Sequence, residues 1–349
     1  MAAPIRIIDQ RVLDVLKKHP LSSSREIHER MDTEVSYATV KRVIQNLLDA
    51  ALIVAIGKGK ATRYRVSSSY HLLFPIDTSV YFEKEIDERK IQVQFNSDLL
   101  RSTLPTAILF TEQELDFLEK LQRKFLTNIV ALSPTGFQKE FERLAIDLSW
   151  KSSQIEGNTY SLLETERLLK EKETAIGKTR EEATMLLNHK EALDFILANP
   201  DYIQPLTIAG IEDIHSILMK ELEVDRNIRN RRVGISGTNY QPLDNAFQIK
   251  EALQDMCDLI NQKTNVFEKA LLGLVLISYI QPFIDGNKRT ARIISNALLM
   301  FHKHCPLSFR TVDSLHYKKA MLVFYEQNNI SPFKQIFLEQ YEFAVKTYF

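Results

Sequence analysis

Apolar residues recur at helical spacing through most of the chain, and changes in this pattern divide it into three parts. In residues 1–68, three short amphipathic patterns precede the alternating stretch LIVAIGKGKATRYRV, which has Gly-Lys-Gly near its centre. The 3.6-residue period predicts three helices, and the alternation around a glycine-rich tip predicts a strand hairpin. The sequence therefore predicts a winged helix-turn-helix domain over residues 1–68.

The other two parts have different patterns. Residues 69–110 contain the segment SVYFEKEIDERKIQVQF, whose alternation predicts a connector with a β-hairpin. Residues 111–349 are almost continuously helical, with an amphipathic helix over about 137–157 that leads into SSQIEGN. The segment RRVGISGTNYQP interrupts this domain with strand-like residues and Gly, and predicts a small hairpin. The predicted fold class is therefore mainly α: a helical domain with a small β-hairpin, preceded by a winged helix.

Composition narrows the partners only slightly. The chain has 45 basic and 45 acidic residues, so its net charge does not indicate a polyanionic partner. Residues 1–68 hold 12 Lys or Arg and 7 Asp or Glu, a net charge of +5 that weakly favours nucleic acid. Two cysteines, Cys257 and Cys305, cannot form a disulfide framework, so we expect a cytoplasmic protein. The longest apolar run, 270–280, is too short for a membrane span, and we expect no membrane partner.

The third helix and the wing are the predicted DNA-contacting elements. Side chains on the solvent face of the third helix suit a major groove, and cations on the wing suit phosphates. The candidates are Tyr37, Thr39, Lys41, Arg42, Lys58, Lys60 and Arg63. Double-stranded DNA is the expected partner of this domain. The alternative is that this domain forms a homodimer or contacts another protein.

The segment QPFIDGNKRTAR, Gln281–Arg292, carries the candidate chemistry. Its proline ends the preceding apolar helix, and a new helix is predicted to begin near Asn287. The unpaired amides of that helix start, with Arg289 and Arg292 one turn apart, form an anion site. Asp285 is placed to hold Mg²⁺. The residues alone indicate a nucleotide or phosphate site, with a solvated basic helix start as the alternative.

These residues resemble the hallmark of the Fic family, H-x-F-x-(D/E)-G-N-(G/K)-R-x-x-R, which lies between two helices. Every defined position matches except the first, where Gln281 stands in place of His. SSQIEGN resembles the family's inhibitory motif (S/T)-x-x-x-E-(G/N) through Ser152, Glu156 and Gly157, and RRVGISGTNYQP resembles the family's flap. The resemblance extends over the whole chain, to a bacterial group that joins a winged helix to a Fic domain over 111–349.

The resemblance implies a protein adenylyltransferase, which moves AMP from ATP onto a Ser, Thr or Tyr hydroxyl of a target protein and uses ATP and Mg²⁺. Asp285 would hold Mg²⁺, and the backbone of 286–288 with Asn287 would form an anion hole. Arg289 would neutralise the polyphosphate, and Arg292 would hold the γ-phosphate. The flap would pair with an extended target segment. The implied cofactor-binding residues are Gly286, Asn287, Lys288, Arg289 and Arg292 and, on the flap, Val233, Gly234, Ser236 and Gly237.

Three positions limit the expected activity. Glu156, by reaching Arg292, would occupy the cation that the γ-phosphate needs and autoinhibit the enzyme; a simple helix end is the alternative. Gln281 cannot take up a proton, and general-base catalysis is typically worth roughly 10²–10⁴-fold. We therefore expect retained ATP binding and low or absent transfer. Lys288 stands where many family members have Gly and adds a cation beside the anion hole. Transfer of a phosphoryl group from ATP, in place of AMP, is therefore an open alternative. The competing function is a nucleotide-sensing, DNA-binding transcriptional regulator with a non-catalytic Fic domain.

Overall fold

The N-terminal domain in the computed structural model, which describes residues 6–31 and 35–349, is a winged helix, as the sequence predicts. Its elements are α1 (Ile7–Lys18), α2 (Ser24–Glu29), α3 (Tyr37–Asp49), β1 (Ile53–Ile56) and β2 (Arg63–Val66). The two strands pair antiparallel, with Ile53 opposite Val66. Val12, Leu16, Val40, Val43 and Leu47 are buried between the helices at the spacing that the pattern predicts.

The connector, residues 69–110, differs from the prediction because it forms no hairpin. It contains α4 (Tyr70–Leu73), α5 (Thr78–Tyr81) and α6 (Leu104–Thr106), with short 3₁₀ and π turns between them. The backbone around Gln92 and Val93 pairs with distant residues instead. The Gln92 N–H donates to the Glu326 carbonyl at 2.7 Å, and the Val93 carbonyl accepts from the Gln241 N–H at 2.7 Å. The predicted hairpin is wrong because the C-terminal domain satisfies these backbone groups, so no second local strand is needed.

The C-terminal domain is a bundle of helices around one almost wholly buried helix. Its helices are α7 (Glu112–Ala131), α8 (Pro134–Ile155), α9 (Leu162–Glu171), α10 (Arg180–Ala198), α11 (Ile208–Leu218), α12 (Ala246–Gln262), α13 (Val266–Ile280), α14 (Asn287–Phe301), α15 (Ser314–Gln327) and α16 (Ser331–Thr347). The apolar residues of α13 are buried around the whole helix, and α13 packs along α14. This central pair holds the turn 281–286 at one end. Within the described ranges, no helix is both long and apolar enough to cross a membrane.

The flap, residues 231–241 between α11 and α12, is an extended loop and not the predicted hairpin. The one antiparallel sheet among the described residues is β1–β2. The flap makes a single parallel bridge, between Gln241 and Gln94 of the connector, and turns at Gly237 with φ 86°. A side chain of the connector also holds the loop, since Arg89 donates to the Gly237 carbonyl at 2.6 Å. The connector thus bonds to the side of the loop, and the two halves of the loop do not pair with each other as a hairpin would.

Candidate functional site

The turn between α13 and α14 is fixed by its own side chains. The Asn287 amide bonds both backbone groups of Phe283: its Oδ1 accepts from the N–H and its Nδ2 donates to the carbonyl, each at 2.9 Å. Gly286 has φ 80°, and a Cβ there would lie 2.6 Å from Cε of Met219. Only glycine fits this position without movement of its neighbours. The first amides of α14 are therefore presented in a fixed orientation, which suits an anion.

His215 of α11 supports the same turn, a role that no sequence motif indicated. Its ring lies flat on Phe283, with centroids 3.6 Å apart and planes 4° apart. Nε2 lies 3.0 Å from the Asp285 carbonyl, and Nδ1 lies 3.2 Å from the Arg226 carbonyl at the base of the flap. Burial lowers the pKa of His215 to about 4, so at neutral pH the ring donates to only one of these carbonyls. His215 thus packs the motif turn against the segment that leads into the flap.

Gln281 has both ends of its side-chain amide engaged within the protein. Its Nε2 donates to the Ser278 carbonyl at 2.6 Å, and its Oε1 accepts from Nδ2 of Asn287 at 3.0 Å. The backbone is in the left-handed region with φ 52°, and its carbonyl accepts from Nε of Arg229 at 2.6 Å. A carboxamide has no useful basicity. This side chain therefore holds Asn287 in place and is not set up to remove a proton.

Arg289 and Arg292 bring buried positive charge to the start of α14. Arg289 is 2% exposed and donates through Nη2 to Asp285 at 2.8 Å, while its Nε and Nη1 have no hydrogen-bond partner in the described part of the chain. Arg292 is fully buried and donates to the Ser152 Oγ at 2.8 Å and to the Ser152 carbonyl at 3.0 Å. Its Nη1 also lacks a partner among those residues. Unpaired buried guanidinium N–H groups are costly, so this cluster fits an oxyanion.

Asp285 is the only acidic side chain of the motif segment, and its carboxylate is 58% exposed beside Arg289. Across residues 6–31 and 35–349, no three His, Cys, Asp or Glu side chains are grouped to hold a metal. A single carboxylate does fit Mg²⁺, because this ion is commonly held by one or two carboxylates together with substrate phosphates.

Glu156 lies directly against this cluster. It follows the last residue of α8, and Gly157 turns the chain away with φ 103°. Its Oε1 accepts from Nη2 of Arg292 at 2.8 Å, and its Oε2 accepts from Nζ of Lys288 at 3.1 Å. Burial acts to raise the pKa of Glu156, but the charges of Arg292 and Lys288 outweigh it and hold the pKa at about 2. The carboxylate is therefore ionised and paired with two cations.

The flap is open along part of its backbone. Among the described residues, the N–H groups of 233–236, which include Val233, Gly234 and Ser236, make no backbone hydrogen bond. The following part, from Gly237, is held by the connector. There Arg89 also pairs with buried Glu326 at 3.2 Å, a link that the sequence did not indicate.

The proposed DNA-contacting residues belong to α3 and to the β1–β2 hairpin. Lys41 and Arg42 are exposed on α3, and Nζ of Lys41 lies 5.1 Å from the centre of the Tyr37 ring. Thr39 is partly buried and bonds to the N-cap Ser36. Lys58 is exposed in the hairpin turn and Arg63 is partly buried, while the side chain of Lys60 lies outside the described part.

Comparison with known proteins identifies both domains. Residues 205–299 match the model of the Fic/DOC family, and residues 7–73 match the model of the Penicillinase repressor family. The chain is 28% identical over 181 residues to "Protein adenylyltransferase Fic" of Nematostella vectensis, which covers 48% of this chain and 40% of that protein. It is 24% identical over 201 residues to "Protein adenylyltransferase fic-1" of Caenorhabditis elegans, and this match covers 56% of this chain and 39% of that protein. The match thus spans about two fifths of the length of these curated relatives.

Solved structures share the fold at low sequence identity. A fragment of C. elegans Fic-1 (aa134–508) superposes with a TM-score of 0.58 and 19% identity, covering 68% of this chain and 72% of that one. A Fic domain containing signaling protein from Bacteroides thetaiotaomicron superposes with a TM-score of 0.57 and 20% identity, covering 66% of this chain and 94% of that one. The chain therefore carries a Fic-family domain preceded by an N-terminal winged-helix domain.

Proposed function

We propose that this protein is a Fic-type adenylyltransferase that binds ATP with Mg²⁺, is autoinhibited by Glu156, and transfers AMP weakly or not at all. The observation that carries the proposal is the buried cation cluster of α14. Three guanidinium nitrogens, Nε and Nη1 of Arg289 and Nη1 of Arg292, are buried without a hydrogen-bond partner in the described chain. Leaving such a group unsatisfied costs roughly 1–3 kcal/mol or more, and a polyphosphate would remove that cost.

The remaining motif residues complete a phosphate site in this proposal. Among the described residues, the N–H groups of 286–288 make no backbone hydrogen bond, and the Asn287 side chain holds the turn that carries them. Asp285 is exposed enough to exchange its contact with Arg289 for a bound Mg²⁺, which would neutralise charge on the phosphates. The relatives whose names specify adenylyl transfer support ATP as the donor.

Target recognition is assigned to the flap. The unpaired backbone of 233–236 fits an extended segment that presents a Ser, Thr or Tyr hydroxyl. What the site lacks is a base for that hydroxyl. Because the amide of Gln281 is engaged by Ser278 and Asn287, we expect transfer to be slower by roughly 10²–10⁴-fold than with a histidine there.

A labelled-ATP transfer assay on four proteins tests the proposal: the wild type, Gln281→His, Glu156→Gly and the double variant. We expect calorimetry to show MgATP binding to Glu156→Gly, and label to appear on protein only with the double variant. If the double variant binds MgATP but labels neither itself nor any added protein, the transferase proposal fails. If Glu156→Gly does not bind MgATP, the nucleotide site itself is excluded.

A second function is favoured by two observations together. The winged helix exposes Lys41 and Arg42, and the Gln281 amide is committed to structural contacts. Both fit a nucleotide-sensing transcriptional regulator that does not turn over ATP. It predicts duplex-DNA binding that weakens steeply with salt and changes when MgATP is added. Absence of duplex retention at low ionic strength would exclude it.

A further inference from the structure

Lys288 makes a contact in this structure that its place in the motif does not require. It is the second residue of α14, where its amide belongs to the proposed anion hole. Its side chain, however, turns to Glu156, with Nζ 3.1 Å from Oε2. The other oxygen of the same carboxylate is held by Arg292 at 2.8 Å. One glutamate therefore bridges two cations that are four residues apart on one helix.

We propose that Lys288 is a second anchor of the inhibitory glutamate, so that its effect on nucleotide binding changes sign with the presence of Glu156. While Glu156 is in place, the Lys288 charge opposes nucleotide binding by stabilising the occupant. Once Glu156 is gone, the same charge favours the nucleotide. This inference deepens the proposed function and rests on it, because both concern the same phosphate site.

The electrostatics of the cluster give the reason. Lys288 and Arg292 are like charges at i and i+4, an arrangement that is unfavourable on its own. Glu156 relieves this repulsion by placing one negative charge against both cations. Burial acts to raise the pKa of Glu156, but Arg292 and Lys288 hold it at about 2. A nucleotide polyphosphate must displace this carboxylate from Arg292. Because the Lys288 contact stabilises the state in which Glu156 occupies Arg292, removing it weakens the block without touching Arg292.

The side chain of Lys288 is separable from the turn that it follows. The turn is held by Asn287, Gly286 and His215, and none of these contacts uses the Lys288 ammonium. The side chain is 25% exposed, against 0% for Arg292. Lys288→Met keeps an unbranched apolar side chain of similar length and removes the charge. A change in nucleotide affinity therefore reports on that charge.

The test is calorimetric titration with MgATP of the wild type, Lys288→Met, Glu156→Gly and the double variant, with Lys288→Arg as the charge-retaining control. We expect Lys288→Met to tighten binding about threefold to tenfold when Glu156 is present, and to weaken it by a similar factor when position 156 is Gly. Lys288→Arg should follow the wild type. Thermal melting checks that each variant is folded. If Lys288→Met does not fold, Lys288→Gln takes its place.

The outcomes separate this inference from the function on which it rests. If Glu156→Gly binds MgATP but Lys288→Met weakens binding, or leaves it unchanged, in the presence of Glu156, Lys288 is not an anchor and the proposed site stands. If no variant binds MgATP, the proposed function fails and this inference fails with it.

Discussion

Replacing Glu156 with Gln should lower the free energy of unfolding of the helical domain by about 3 kcal/mol at neutral pH. The substitution keeps the shape of the side chain and removes its charge from two cations, 2.8 Å and 3.1 Å away. Burial acts to raise the pKa of Glu156, yet Arg292 and Lys288 hold it at about 2, against an ordinary value of 4.5. At about 1.4 kcal/mol for each pH unit, this difference corresponds to about 3 kcal/mol.

The pH dependence gives the sign of the effect. A carboxylate whose folded pKa lies below its unfolded value stabilises the fold fully above the unfolded value, here about 4.5. That stabilisation is lost as the pH falls towards the folded value of about 2. The Gln variant never has it. The wild type should therefore be more stable than Glu156→Gln at pH 5 to 7, and the difference should shrink below pH 4.5.

Differential scanning calorimetry from pH 7 down to pH 3.5 measures both features. For a domain of this size, about 3 kcal/mol corresponds to a melting temperature lower by about 6–12 °C. The matched control is Glu166→Gln, since Glu166 pairs with Lys170 at 2.8 Å on the surface, with both side chains more than 40% exposed. Such a pair is worth about 0.5 kcal/mol or less. Equal melting of Glu156→Gln and the wild type at pH 7, or a difference that stays constant to pH 3.5, would refute the reasoning.

Three further predictions concern other parts of the molecule. Gln281→His, in a chain that also carries Glu156→Gly, should raise AMP transfer by about 100-fold or more in the labelled-ATP assay, and an unchanged rate counts against a missing base. Arg89→Met leaves Glu326, which is 1% exposed, without its cation, and we expect the free energy of unfolding to fall by about 3–5 kcal/mol in melting experiments. Arg101→Met, at an exposed cation that pairs with Glu251 and Asp255, should change the melting temperature far less. Lys41→Ala should lower the salt dependence of duplex binding by about one ion without changing sequence preference, and an unaltered slope removes Lys41 from the interface.

Local rules predicted the elements that surround the site. The proline after Gln281 ends α13 at Ile280, and α14 begins at Asn287, as the steric limits of proline and the Asp-Gly turn require. The buried faces of α1 and α3 follow from apolar spacing alone. These features depend on residues within a few positions of one another, so one sequence is enough to predict them.

The connector and the flap were harder to predict because alternation does not identify a strand's partner. Val93 lies in an alternating stretch, but its carbonyl bonds to Gln241, which is almost 150 residues away. Arg89 likewise reaches Gly237 and Glu326 across the fold. A local hairpin and a long-range contact satisfy the same backbone groups, and the sequence pattern does not distinguish them.

The geometry around Gln281 explains how the proposed phosphate site is held together although Gln281 cannot act as a base. In the structure, the amide oxygen of Gln281 accepts from Asn287, and Asn287 in turn fixes the backbone of Phe283. These bonds orient the start of α14, which presents the proposed anion site. The sequence shows only that a proton acceptor is missing; the structure shows that the residue in its place supports the turn. In the proposed site, the groups that would bind nucleotide are therefore separable from the one that would transfer the proton, which is why we expect Gln281→His to change the rate of transfer far more than the affinity for MgATP.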